Sequence, residues 1–150
     1  VPPSLALAQA AEESGWGTSR FARHGNAVFG QRTFNPGTGM VPKERDADDS
    51  YEVRRFDTLY SSLEAYVRNL NTPPTYETFR SARAALRQLD GKIDSLRLAG
   101  ALEGYSERGS AYADNIRRII RGNRLHQFDR ARLADQEEAA LSLWRGEQPS

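Results

Sequence analysis

Apolar side chains recur at helical spacing along most of the chain. Residues 5–14 form an Ala-rich run that follows Pro-Pro-Ser and ends at a glycine, and these entry and exit signals predict a helix. A capping box at Ser61 and Glu64 marks the start of another helix. The same apolar spacing predicts helices over residues 19–23, 61–70, 76–89, 95–102 and 110–122. A last helix is predicted to begin at Asp129 and to face inward with Leu133, Ala140, Leu141 and Trp144.

The residues between the second and third predicted helices have a different pattern. Residues 31–40 contain asparagine, proline and glycines, which is the composition of a loop. Two extended stretches, 40–45 and 51–56, flank an acidic turn at 46–49 and predict a β-hairpin. We therefore expect a mainly α (α+β) fold in which residues 1–150 form a single domain, with a small β-hairpin lobe inserted after the second helix.

Composition excludes several classes of protein. The 150 residues include no cysteine, so disulfides, thiol nucleophiles and thiolate-bound metals are absent. The two histidines, His24 and His126, are too far apart in sequence to indicate a metal site, and we expect no metal or cofactor. The net charge is only +1 despite 19 arginines, which argues against a nucleic-acid binder, and no apolar run is long enough to span a membrane. Because the chain begins at Val1, we expect a processed protein or an excised domain.

Glu13 stands out chemically because it lies in the last turn of the first predicted helix, directly before Ser-Gly-Trp-Gly. The negative end of the helix dipole and an apolar wall from the Trp16 indole would both favour its protonated form, which a general acid needs near neutral pH. The alternative is a solvent-facing glutamate with Trp16 in the core. Glu12 points about 100° away on the helix and is expected to be a surface residue.

Residues 7–19 (LAQAAEESGWGTS) and 26–30 (NAVFG) resemble the catalytic motif of glycoside hydrolase family 73, the bacterial N-acetylglucosaminidases of cell-wall peptidoglycan. Weaker similarity to the Bax-type subgroup is found at residues 41–43 (VPK), 51–53 (YEV) and 69–72 (NLNT). The resemblance extends over most of the chain, from Leu5 to Arg121. It implies a lysozyme-like fold, with a β lobe over the substrate cleft.

The resemblance also implies roles for single residues. Glu13 corresponds to the catalytic acid of the family, and a second carboxylate is expected on the β lobe. Glu52 and Glu44 are both candidates for it, with Glu52 slightly favoured, and the alternative for either is a solvated charge paired with a neighbouring arginine. Tyr105, in a Gly-Tyr-Ser context, is similar to a family tyrosine that would orient the acetamido group or the water.

Four further residues are implied to contact the substrate: Trp16, Asn26, Phe29 and Tyr112. The Asn26 amide would hydrogen-bond the acetamido group of a sugar. Its alternative role, shared with Phe29, is to form the turn between a helix and a loop. Tyr112 is in phase with the apolar stripe of its helix, so core packing is the favoured interpretation for it.

The resemblance implies an endo-β-N-acetylglucosaminidase that cleaves the β-1,4 bond after N-acetylglucosamine in peptidoglycan glycan strands. That substrate implies a periplasmic or cell-envelope location, and we expect a monomer that uses no cofactor. Two alternatives remain open: lytic transglycosylase-like cleavage, which needs no second carboxylate, and a non-catalytic module that only binds cell-wall glycan. The arginines of residues 117–132 are interpreted as a solvated helix surface rather than a polymer-binding site.

Overall fold

The computed structural model describes residues 1–46 and 48–131. Its helices are α1 (Pro3–Ser14), α2 (Arg20–Gly25), α3 (Leu59–Asn71), α4 (Glu77–Asp90), α5 (Ser95–Ala99) and α6 (Ser110–Gly122). Short 3₁₀ helices cover Pro74–Tyr76, Gly100–Tyr105 and Leu125–Arg130. The strands are β1 (Arg32–Thr33), β2 (Gly39–Met40) and β3 (Glu52–Arg54). The predicted mainly helical α+β class is confirmed, and the arrangement agrees with a lysozyme-like fold.

Two predicted helix starts differ from the structure or lie outside its described part. Helix α3 begins earlier than expected, because Thr58 and Ser61 form its capping box instead of Ser61 and Glu64. The helix predicted after Asp129 lies outside the described residues. Asp129 itself accepts hydrogen bonds from the backbone N–H and the hydroxyl of Ser4, both at 2.8 Å, and so satisfies a free donor in the first turn of α1. Within the described ranges, no helix is long and apolar enough to cross a membrane.

The predicted hairpin is wrong in its pairing. Strand β3 is the centre of a three-stranded antiparallel sheet with the order β1-β3-β2, in which Val53 lies opposite Arg32 on one side and Met40 on the other. Both partner strands come from the predicted loop, while residues 41–45 form no strand. Such short strands carry too little alternation to be recognised, and their pairing is fixed by contacts with the side chain of Glu52, described below.

The main core lies between α1, α6 and the segments around α5, and a smaller apolar cluster attaches the lobe. The largest fully buried apolar side chains of the core are Leu5, Leu70, Phe79, Leu98, Leu102, Ile116, Ile120, Tyr66 and Tyr112. The smaller cluster consists of Ala27, Val53 and Phe56, with Phe21 and Ala65 packed against it. Since β3 contributes Val53, this cluster fixes the sheet against α2 and α3.

Candidate active site

The chain turns sharply directly after Glu13. Gly15, Trp16 and Gly17 all adopt left-handed backbone conformations, with φ of 56°, 58° and 76°. Ser14 is buried, and its hydroxyl accepts a hydrogen bond from the Gly17 N–H at 2.7 Å, which stabilises the turn. The left-handed conformation costs about 1–2 kcal/mol at a residue with a side chain, so Trp16 is held there by its neighbours. Glu13 therefore occupies the last turn of α1 at an abrupt helix end.

Trp16 is largely exposed. Its side chain is 61% exposed, so the alternative core position does not describe it, and an apolar wall beside Glu13 stays a prediction. The left-handed backbone at Trp16 turns the chain away from the helix and leaves the indole at the surface. An exposed indole at this position is available to stack against a ligand.

The Glu13 carboxyl group is partly buried, and burial raises its pKa. A hydrogen bond from the Tyr112 hydroxyl opposes this shift, the negative charge of Glu12 adds to it, and the positive charge of Arg108 reduces it. Gly30 lies directly against the group: a Cβ atom at this position would be 3.4 Å from the Oε2 atom of Glu13. The site thus holds a carboxyl group with a raised pKa. It lies next to Gly30, which has no side chain to displace it.

An aromatic cluster packs beside Glu13. The rings of Phe29 and Tyr66 stack with centroids 4.0 Å apart, and Tyr105 contacts Tyr66 at 6.5 Å, Tyr76 at 6.0 Å and Tyr112 at 5.6 Å. Phe29 is only 5% exposed and packs its ring on Tyr66, and its contact with substrate stays a prediction. Tyr105 is half-buried in this cluster, and its hydroxyl donates to the Phe29 carbonyl at 3.4 Å.

Gln9 connects this cluster to the acid, and the sequence analysis gave it no role. Its side chain is fully buried. The Tyr66 hydroxyl donates to Gln9 Oε1 at 2.6 Å, and Gln9 Nε2 donates to the Tyr112 hydroxyl oxygen at 3.0 Å. Since that oxygen accepts from Gln9, the Tyr112 hydroxyl hydrogen is left for its interaction with Glu13, which lowers the pKa of Glu13. Gln9 precedes Glu13 by four residues, and this same-face spacing was the available signal.

Glu12 is more than a surface residue, which corrects the expectation. Its carboxylate forms an ion pair with Arg108 and accepts a hydrogen bond from Asn115 Nδ2 at 2.6 Å. These contacts link the C-terminal end of α1 to α6 and to the segment before it. Glu12 also keeps a negative charge beside Glu13, which contributes to the raised pKa of Glu13.

The two carboxylates proposed for the lobe differ in their surroundings. Glu52 is 8% exposed, and its two oxygens accept hydrogen bonds from the backbone N–H groups of Gly37 at 3.0 Å and Gly39 at 2.8 Å. These bonds lower the pKa of Glu52, so it is ionised at neutral pH. Glu44 is exposed in a turn and has no hydrogen bond or ion pair with any described residue. The alternative interpretation of Glu52 as a solvated charge paired with a neighbouring arginine does not describe it, because backbone N–H groups hold both of its oxygens.

Asn26 fulfils the turn role that was its alternative interpretation. Its backbone is left-handed, with φ of 50°, and it ends α2. The side-chain Nδ2 donates to the carbonyl oxygens of Phe56 at 2.9 Å and Asp57 at 3.2 Å. Both amide hydrogens therefore hold the segment after β3, and a contact between the Asn26 amide and an acetamido group stays a prediction.

A groove of about 950 Å³ lies between the sheet and α3. Gln31 lines the groove and directly follows Gly30, which contacts Glu13. Asn69 also lines it and donates to the Tyr76 hydroxyl at 3.5 Å. Burial, and to a lesser extent the charge of Glu13, raise the pKa of Tyr76, so this hydroxyl too is near the acid.

Within residues 1–46 and 48–131, no group of three or more His, Asp and Glu side chains is placed to hold a metal ion. A partly buried carboxyl group with a raised pKa, such as that of Glu13, is suited to proton transfer. A helical domain with a small sheet beside a groove, and a part-buried glutamate at the end of its first helix, has the organisation of the lysozyme-like class of glycan-cleaving proteins.

The chain belongs to the glucosaminidase family, as the sequence analysis predicted. Residues 1–125 match the family profile described as mannosyl-glycoprotein endo-beta-N-acetylglucosaminidase. The chain is also 34% identical over 123 residues to protein bax of Escherichia coli strain K12. That similarity covers 82% of this chain but only 43% of protein bax, so the chain spans less than half of that relative. No solved structure matches the chain.

Proposed function

We propose that this domain is an endo-β-N-acetylglucosaminidase that hydrolyses the β-1,4 bond after N-acetylglucosamine in peptidoglycan glycan strands, with Glu13 as the general acid. One observation carries the proposal: burial raises the pKa of Glu13 in a chain of the glucosaminidase family. A catalytic acid must still hold its proton near the working pH. The proposed substrate implies the periplasm or cell envelope, and the domain acts as a monomer without a cofactor.

In this mechanism Glu13 donates its proton to the glycosidic oxygen as positive charge develops on the sugar. The carboxylate left behind is stabilised by the hydrogen bond from Tyr112, whose direction Gln9 fixes. The burial that favours the protonated acid and the donor that stabilises its anion act at different stages of the reaction. Tyr105 is a positioning residue in this proposal, because its ring stacks on Tyr112 and its hydroxyl is bonded to backbone.

Glu52 is our choice for the second carboxylate, with Glu44 as the alternative. Its lowered pKa keeps it ionised, which suits a group that stabilises positive charge or activates water. Two backbone bonds leave acceptor capacity on a carboxylate, which offers about four lone-pair sites. A separation from Glu13 of about 6.5–9.5 Å in the substrate complex would indicate inversion through a water, and about 5 Å direct nucleophilic attack. Participation of the substrate's own acetamido group would need only charge stabilisation from the lobe.

The test is digestion of purified peptidoglycan by the wild type and by Glu13→Gln. Glu12→Gln is the matched control, since it removes the adjacent carboxylate and keeps the acid. We expect mass spectrometry to find new reducing N-acetylglucosamine ends with the wild type and the control, and none with Glu13→Gln of unchanged circular dichroism. Full activity of Glu13→Gln would refute the proposal.

The same assay separates the candidates for the second carboxylate. If Glu52 serves, Glu52→Gln loses activity by more than its change in thermal stability explains, and Glu44→Gln stays active. If Glu44 serves, the reverse pattern is observed in activity, while only Glu52→Gln lowers stability.

Lytic transglycosylase-like cleavage is the second candidate function. It is favoured by one observation: both Glu52 oxygens are already hydrogen-bonded to the Gly37 and Gly39 backbone, and such cleavage needs no second carboxylate. Products ending in anhydro-muramic acid, with no new reducing N-acetylglucosamine ends, would establish this reaction in place of hydrolysis.

A further inference from the structure

The groove between the sheet and α3 is rich in arginine. Arg32, Arg54 and Arg68 all line it, against the single acidic residue Glu64. All three arginines are exposed, and none forms an ion pair with a carboxylate of any described residue. The two ion pairs identified in the described part involve other arginines. The groove therefore holds an excess of positive charge that the protein itself does not neutralise.

Two of these guanidinium groups are held in place by aromatic rings. The Arg32 guanidinium lies 4.1 Å from the ring centroid of Tyr51, and that of Arg54 lies 4.8 Å from the centroid of Phe56. A stacked guanidinium keeps its donors at its edge, where they can meet a planar carboxylate. Because stacking restricts these long side chains beforehand, less conformational freedom is lost on binding an anion.

The remaining residues of the groove suit a sugar chain. Tyr60 is 69% exposed and Leu63 40% exposed, so the groove offers apolar surface for the faces of sugar rings. The Asn69 and Gln31 side chains add amides, and a buried oxygen of Gln31 has no hydrogen-bond partner among the described residues. Apolar surface with a few polar groups is the usual composition of a ligand site.

We propose that this groove recognises the carboxylate groups of an anionic glycan, so that the domain prefers carboxylate-bearing strands to neutral ones. The inference rests on the proposed function, because in it the groove holds the strand that Glu13 cleaves. Arg32, Arg54 and Arg68 are then specificity-determining residues, and Glu64 opposes them. A glycan fits better than a nucleic acid, since the positive charge is confined to three residues and interrupted by Glu64.

A binding experiment tests this without turnover. The probe is N-acetylmuramyl-L-alanyl-D-isoglutamine, which has a free carboxylate and no glycosidic bond, compared with the same molecule converted to its amide. We expect NMR titration of the wild-type domain to show affinity about three- to tenfold higher for the carboxylate form, the size of one or two partly exposed charge contacts. Equal affinity for the two probes would overturn the proposal.

Charge-matched variants locate the effect. Arg54→Gln and Arg68→Gln should each weaken binding of the carboxylate probe and leave the amide unchanged, and Glu64→Gln should strengthen it. Arg23→Gln is the control, because Arg23 is exposed on α2 and does not line the groove. An equal loss in Arg23→Gln would show a general charge effect and refute the site.

Failure of this inference is distinguishable from failure of the proposed function. If the domain binds the carboxylate probe selectively but releases no reducing ends from peptidoglycan, the groove proposal stands and the proposed hydrolase activity is refuted. If the domain cleaves peptidoglycan equally well after substitution of the groove arginines and binds both probes equally, the hydrolase activity stands and the groove proposal is refuted.

Discussion

Replacing Tyr112 by phenylalanine removes one hydroxyl from the hydrogen-bond chain that ends at Glu13. The ring remains, so stacking on Tyr105 at 5.6 Å is preserved. Two contacts are lost: the hydrogen bond to the Glu13 carboxylate, and the acceptor of the Gln9 amide at 3.0 Å. The first affects the acid, and the second affects the stability of the fold.

The size of the expected pKa change depends on how strongly the Tyr112 hydroxyl stabilises the ionised form of Glu13. The Tyr112 hydrogen donates to ionised Glu13, so it lowers the pKa of that group, and its loss raises the pKa. Hydrogen bonds to charged groups contribute about 1.5–3 kcal/mol, and since Glu13 is partly exposed we take the lower end, which corresponds to about one pKa unit. The unpaired Gln9 amide costs about 1–3 kcal/mol of unfolding free energy.

The assay is a pH titration of the Glu13 side-chain carboxyl carbon by NMR, accompanied by the pH dependence of peptidoglycan cleavage. We expect the pKa of Glu13, and with it the alkaline limb of activity, to move upward by about one unit in Tyr112→Phe. Tyr105→Phe is the matched control, because its hydroxyl is bonded to the Phe29 carbonyl. An unchanged or lowered pKa of Glu13 in Tyr112→Phe, or an equal rise in Tyr105→Phe, would refute the assignment of the Tyr112 hydroxyl as the donor to Glu13.

Three other perturbations have defined outcomes. Glu12→Gln removes a negative charge that raises the pKa of Glu13, so the alkaline limb of activity should move to lower pH. The pKa of Glu52 is lower in the folded state than its unfolded value of 4.5. The stability that Glu52 contributes is therefore present above pH 4.5 and is lost as the pH falls through the folded-state pKa. Thermal melts of Glu52→Gln should lack this acid dependence. Gly30→Ala should lower both thermal stability and activity, while Gly91→Ala, with a similar φ of 63° but open space, should lower stability alone.

Helices with a clear apolar face could be predicted from the sequence, whereas the lobe could not. The first helix was expected from residue 5 to residue 14 and runs from Pro3 to Ser14, because its start and stop signals are local. The strands of the sheet are two or three residues long, and their pairing depends on the Glu52 carboxylate, which binds the backbone 13 and 15 residues earlier. A side chain that fixes a distant loop leaves no periodic signal.

In the candidate site too, features with a local sequence signal could be predicted and features that depend on distant residues could not. The position of Glu13 before a Gly-Trp-Gly turn was a local signal, and burial of its carboxyl group agrees with the expected raised pKa. The exposure of Trp16 was not predictable, because a large apolar residue is usually buried and only the left-handed backbone places this one outside. Gln9 was overlooked because its partner Tyr112 lies 103 residues away.

The helix that carries the acid is attached to the rest of the molecule near both ends. Ser4 is bonded to Asp129 at the start of α1, and Glu12 is bonded to Arg108 and Asn115 near its end. We therefore expect amide hydrogen exchange in α1 to require unfolding of the whole domain, while amides of the three short strands exchange by local opening. The acid would then be a fixed reference point, and adjustment to the shape of a bound strand would be made by local opening of the short strands.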